Sequence, residues 1–164
     1  ITKMRESNDS MRKWFQDNCN PSQFSGTLSE AMIGSDIFIG VSAPDVLSEN
    51  DVKSMNTNSI VFALSNPDPE IDPAIARKYA KVVATGRSDQ PNQINNVLAF
   101  PGIFRGLLDA GAHKITDQLL LAAAQAIADC VSPDQLNTSY IVPSVFDPTI
   151  SSAVANAVKI SAKK

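Results

Sequence analysis

The chain has 164 residues, of which 43% are hydrophobic and 19% charged, so it reads as one globular domain with its own core rather than a disordered chain. Its net charge is −3 with a pI of about 5.0 and no basic stripe with interleaved aromatics, which argues against a nucleic-acid partner. The most apolar run, residues 119–128, is too short to cross a bilayer and is flanked by Asp117 and Asp129, and no signal peptide is visible, so no membrane partner is expected.

The chain opens ITKMRESNDS, without an initiator Met, and is expected to be a piece of something larger. Residues 7–19 form an amphipathic helix with Met11, Trp14 and Phe15 on one side, and Trp14 is expected in the core. After a loop, Thr27 and Glu30 have capping-box spacing and start a short helix that runs to about Gly34. Residues 36–41, DIFIGV, have the unbroken β-branched character of a strand buried on both faces. A turn and a short helix capped by Ser48 lead to a second such strand at 59–64. In NPDPEIDP, Asp72 and Pro73 read as N-cap and first helical residue of a helix over 73–80. A third strand follows at 81–85.

Residues 86–96 are almost all polar. Residues 97–111 then place Phe100, Ile103, Phe104, Leu107 and Leu108 on one helical face and stop at Gly111, a natural C′ residue. The helix over 115–131 is apolar on most sides and is expected to be buried between layers. Residues 132–139 are a turn or short helix, 140–147 read as extended, and Asp147 with Pro148 caps a last helix. Strands alternating with helices indicate an α/β fold with three parallel strands, followed by a C-terminal helical layer. Three strands make half of a doubly wound sheet, whose open edge needs a cover.

In open parallel sheets, ligands bind beyond the carboxyl ends of the strands. The first strand is followed by Ser42, Ala43 and Pro44, and the second by Ser65, Asn66 and Pro67. The third is followed by Gly86, Arg87 and Ser88, and then by Asn92, Gln93, Asn95 and Asn96. An Asn side chain carries a donor and an acceptor and never ionises. It can hold a carboxylate or carboxamide without adding charge beside a redox centre. Asn66 has a second reading as an Asx-turn. Arg87 either meets a carboxylate or phosphate in the cleft or ties the loop to Asp89.

The stretches FIGVSAPDVLSENDVKSM, SIVFALSNPDPEI, VVATGRSDQPNQINNVLAFPGIFRG and YIVPSVFD closely resemble the dinucleotide-binding domain of malic enzymes, from about residue 27 onward. The resemblance implies a Rossmann-like doubly wound fold, of which residues 1–164 are the C-terminal portion. It implies oxidative decarboxylation of L-malate to pyruvate and CO2 with NAD or NADP and a divalent metal, Mn2+ or Mg2+. It puts Gly40, Val41, Ser42, Asn66 and Asn96 at the cofactor and Asn66, Asn95 and Asn96 at the substrate. Gly40 would let the cofactor's ribose approach backbone. A homodimer or higher assembly is the rule in such enzymes. The alternative is a non-catalytic or regulatory dinucleotide-binding module of a related dehydrogenase.

Much of that machinery has no match in the chain. The glycines at 26, 34, 40, 86, 102, 106 and 111 make no GxGxxG. The first βαβ unit and the N-terminal catalytic domain are therefore expected upstream. So are the general acid Tyr, the base Lys, the substrate Arg and the metal carboxylates. Tyr79, Tyr140, Lys81 and Lys114 match no catalytic motif, so no catalytic residue and no metal ligand is assigned within the chain. Asp68, Glu70 and Asp72 read as turn and cap chemistry. Lys3 and Arg5 are either neighbours of a 2′-phosphate or solvated surface charges. His113 is expected to meet the last carbonyls of its helix. Cys19 and Cys130 form no metal-type pair, so reduced thiols in a cytoplasmic protein are the simpler reading, with a disulfide as the alternative.

Overall fold

Short β-branched segments pair side by side in the computed structural model, which describes residues 9–162. The strands β1 (Ile37–Gly40), β2 (Ile60–Ala63) and β3 (Val82–Thr85) are all parallel, in the order β1-β2-β3. Register sets Gly40 beside Ala63 and Ala63 beside Thr85, so the three carboxyl ends finish level on one rim. Helix α2 (Leu28–Met32) precedes β1, and α3 (Glu49–Lys53) and α4 (Pro73–Ala76) run between the strands, each entered through a side-chain cap. The Thr27–Glu30 capping box forms as expected. Ser48 makes a second one with Asp51, and Asp72 accepts from Ala74 N at 2.7 Å. These helices lie against one face of the sheet, where Val61, Ala63 and Val83 join Met32, Leu47, Val52, Ile71 and Ala76 in a core.

The other face is more open. Ile37 is 56% and Ile39 64% exposed, against the expectation that β1 is buried on both faces. Among the described residues, parallel pairing puts β1 at the edge with β2 as its one strand neighbour. Its β-branched residues record a burial that no described residue supplies.

The later half forms a second core. A 3₁₀ turn at Asn96–Leu98 leads into α5 (Phe100–Ala110), which packs with α6 (Asp117–Asp129) and α7 (Thr149–Ser161) around Ile103, Leu107, Leu119, Ile150, Val154 and Val158. A Cβ on Gly102 would stand 2.5 Å from Val154 Cβ, and one on Gly106 2.5 Å from Ala155 O, so both glycines let α5 and α7 approach closely. Gly111 ends α5 with φ 64°, as the sequence predicts.

Several expectations are corrected. The face assigned to α5 divides: Ile103 and Leu107 are buried, whereas Phe104 and Leu108 are exposed and Phe100 stacks on Phe104. Helix α6 is not sandwiched between layers, since Leu119 and Ala123 are its buried residues and Leu121 is 71% exposed. Helix α4 ends at Ala76 rather than at residue 80. Residues 140–147 form bends and turns instead of a strand. The N-cap of the last helix is Pro148, without a side-chain cap, and Asp147 just before it accepts from Thr149 N at 2.9 Å. In α1 (Ser10–Asn18), Trp14 is 55% exposed and makes an edge contact with Phe15, so it is not a core residue among those described.

Candidate functional site

The rim is organised by one acidic side chain. Glu70 lies in the turn between β2 and α4 and is 0% exposed. Its Oε1 accepts from Ser42 N at 2.8 Å and Ser42 Oγ at 3.1 Å, and its Oε2 accepts from Ser65 N at 3.0 Å. Burial pushes the Glu70 carboxyl up, but these hydrogen bonds outweigh it and hold the group below its ordinary value. Hydrogen bonds to a charged group contribute about 1.5–3 kcal/mol each, enough in sum to offset the several kcal/mol cost of burying one carboxylate. Glu70 thus has a longer reach than the turn role its sequence context suggests. Asp72 keeps its expected cap. Among the described residues no three His, Cys, Asp or Glu side chains could hold a metal ion, so the residues present do not fit one.

Gly40 is buried, and its missing Cβ makes room for Glu70, since a Cβ there would meet Cδ at 2.5 Å and Oε1 at 2.6 Å. A side chain of the protein itself therefore makes a steric demand at Gly40. Val41, next along, is 78% exposed at the end of β1.

Asn66 is exposed, and its peptide bond to Pro67 is cis. Among the described residues its carboxamide has no hydrogen-bond partner, so the Asx-turn reading is not met. Beyond β3 the chain doubles back along its own strand end: Ile94 N donates to Thr85 O at 2.8 Å. That brings Asn95 and Asn96 beside the β3 tip. Asn95 Oδ1 accepts from Val97 N at 2.9 Å and caps the 3₁₀ turn, and its amide donors have no partner among the described residues. Asn96 is exposed, with no side-chain partner among the described residues.

Asn92, by contrast, is 6% exposed and faces inward. Its Nδ2 donates to Val83 O at 3.0 Å and Thr138 O at 2.9 Å, while its Oδ1 accepts from Ile141 N at 2.9 Å. It ties β3 to the loop at 138–141, and the amide-rich loop composition concealed that role. Arg87 takes the second of its two readings, binding Asp89 through Nε–Oδ1 at 2.9 Å and Nη2–Oδ2 at 2.8 Å. This pair holds the Asp89 carboxyl down to about 2. His113 lies exposed just beyond the α5 cap, and Lys3 and Arg5 fall outside the described residues. Cys19 and Cys130 are both free.

Comparison with known proteins assigns this arrangement to a family. The model of the malic enzyme NAD-binding domain matches residues 1–163. An NAD-dependent malic enzyme of Geobacillus stearothermophilus is 56% identical over 139 residues, covering 85% of this chain and 29% of the relative. An NADP-dependent malic enzyme of Rhizobium meliloti is 46% identical over 149 residues, covering 80% of this chain and 19% of the relative. The crystal structure of malic enzyme from Pyrococcus horikoshii superposes with a TM-score of 0.87 at 43% identity, covering 94% of this chain and 36% of that one. The chain thus spans well under half the length of these proteins.

Proposed function

This chain belongs to the family of malic enzyme NAD-binding domains, and from that premise we propose that it serves as the later part of the nucleotide domain of an enzyme that converts L-malate to pyruvate and CO2. On this reading Gly40, Val41 and Ser42 lie along NAD or NADP. Asn66 and Asn96 contact both cofactor and malate, and Asn95 meets the malate carboxylate. The observation that carries the reading is the level rim, where the Asn66 and Asn96 carboxamides have no hydrogen-bond partner among the described residues. Strand ends of this kind are where open parallel sheets take ligands.

The bound nicotinamide supplies the acceptor for the hydride leaving malate. The residues of this chain orient the reactants. Asn95 has its oxygen occupied and its amide hydrogens free, which suits a carboxylate acceptor. Asn66 and Asn96 add no charge beside the reacting carbon, so they direct the substrate without opposing the hydride's departure. The groups that move protons and hold Mn2+ or Mg2+ belong, in this proposal, to polypeptide outside the segment. So do the first βαβ unit with its glycine-rich turn, the N-terminal catalytic domain and the contacts of a homodimer or larger assembly. The exposed Ile37, Ile39, Phe104 and Leu108 are apolar surface of the sort that a larger assembly covers. No described helix is long and apolar enough to cross a membrane.

The test is Asn66→Ala in the full-length protein that contains this segment. Loss of an interaction made chiefly in the transition state should cost about 2–4 kcal/mol in kcat/KM for malate, or roughly 30- to 1,000-fold. A wild-type kcat/KM would remove Asn66 from the site. The 164-residue segment alone should produce no NAD(P)H from malate, and measurable turnover would overturn the division of labour. A full-length protein that binds NAD(P)H yet turns over no malate would favour the non-catalytic module.

A further inference from the structure

Sealed from solvent and unpaired with any Lys, Arg or His among the described residues, the Glu70 carboxylate is the least expected group near the rim. A buried charge is costly unless its lone pairs are answered. Here the answers come from two different strand tips. Ser42, just past β1, gives two hydrogen bonds to Oε1, and Ser65, just past β2, gives one to Oε2. Glu70 is itself anchored, since its backbone carbonyl accepts from Leu47 N at 2.9 Å. The space it fills exists because residue 40 is glycine.

We propose that Glu70 is a positioning residue for the malate and nicotinamide side of the site, its carboxylate bridging the β1 and β2 tips so that Ser42 and Asn66 keep a fixed separation. The proposal rests on the reading that those tips line the site. The count of donors explains why an ion is needed. Both tips present N–H groups, so both oxygens must accept. Gln at this position would turn an amide NH2 toward one of the two tips, donor against donor. Glu70 does not reach the substrate and moves no proton. It spares the tips the reorganisation that a loose Asn66 would need on each turnover.

Steady-state kinetics on the full-length enzyme test this with Glu70→Gln, Asn66→Ala and the double variant. Glu70→Gln should lower kcat/KM for malate at least tenfold while leaving the far-ultraviolet circular dichroism unchanged. In the Asn66→Ala background it should cost less than twofold more, because the amide it positions is already gone. A value for Glu70→Gln within twofold of wild type, or a full additive loss in the double variant, overturns the proposal. If Asn66→Ala is impaired and Glu70→Gln is not, the site reading stands and this proposal alone fails. If Asn66→Ala is itself wild type, the site reading fails first and the proposal with it. Should Glu70→Gln not fold, Glu70→Asp keeps both acceptor oxygens but draws them back from the strand tips by one methylene. It must then show the same non-additive loss, and an additive one refutes the role.

Discussion

Replacing Asn92 should release the 138–141 loop from β3, and the structure sets the size of the effect. Its side chain makes three hydrogen bonds, to Val83 O, Thr138 O and from Ile141 N. Its backbone is left-handed, with φ 58°. Asn92→Gly keeps the backbone comfortable and removes the three bonds, at about 1 kcal/mol each. Asn92→Ala adds roughly 1 kcal/mol for holding Ala in the left-handed region, for a total of about 4 kcal/mol. Asn92→Asp keeps the shape and the acceptor but points carboxylate oxygen at two carbonyls. It should cost at least as much as Ala at neutral pH. Hydrogen exchange followed by mass spectrometry, on a peptide spanning residues 137–147 of the full-length protein, reads the local opening directly. The expected order of protection is wild type, then Gly, then Ala, with Asp equal to Ala or below it. Unchanged exchange in Asn92→Ala, or better protection in Asp than in Ala, would refute the inward, doubly donating role of this side chain.

The α5–α7 contact makes a second prediction. Gly102→Ala would put a Cβ 2.5 Å from Val154 Cβ and 2.8 Å from Ser151 O, so overpacking of about 1–3 kcal/mol should outweigh the roughly 1 kcal/mol gained in helix propensity. Gly86→Ala, whose nearest neighbour would be Ile94 O at 4.0 Å, should leave thermal stability within about 0.5 kcal/mol of wild type. Acid sensitivity makes the third. Burial pushes Glu70 and Asp51 up, but hydrogen bonds outweigh it and hold both below their ordinary values of 4.5 and 3.8. The unfolded chain therefore binds more protons in acid, so this stabilisation is complete above the ordinary values and is lost as pH falls through the lower, folded ones. Urea midpoints of the full-length protein measured downward from pH 6 should fall along that limb, and less steeply in a folded Glu70→Gln variant. Equal slopes would show that Glu70 contributes nothing to it.

Local rules were legible wherever they involve neighbours in sequence. The Thr27–Glu30 box, the Ser48 and Asp72 caps and the Gly111 stop all satisfy backbone groups within a few residues. What the sequence hid were contacts between distant segments. Glu70 meets Ser42 across 28 positions and Asn92 meets Ile141 across 49, and no spacing rule couples such pairs. A single signal pointed toward Glu70: glycine inside an apolar strand marks the close approach of something. The sequence offered a ligand as that something, and the structure shows a side chain there as well.

The apolar patterns were read correctly as patterns and wrongly as burial. Ile37 and Ile39 carry the composition of a two-sided strand, and Phe104 and Leu108 that of a packed helix, yet all four are exposed. Hydrophobic periodicity reports the environment a segment is built for, including surfaces contributed by polypeptide that the segment does not contain. The rim differs in kind. Its polar groups divide into those bonded to the protein, Glu70, Asn92 and the oxygen of Asn95, and those without a partner among the described residues, Asn66 and Asn96. The bonded groups are what make the others useful. An amide on a free loop would lose the entropy of its ordering each time it met a ligand, whereas one held on a clamped strand tip has lost it already, during folding.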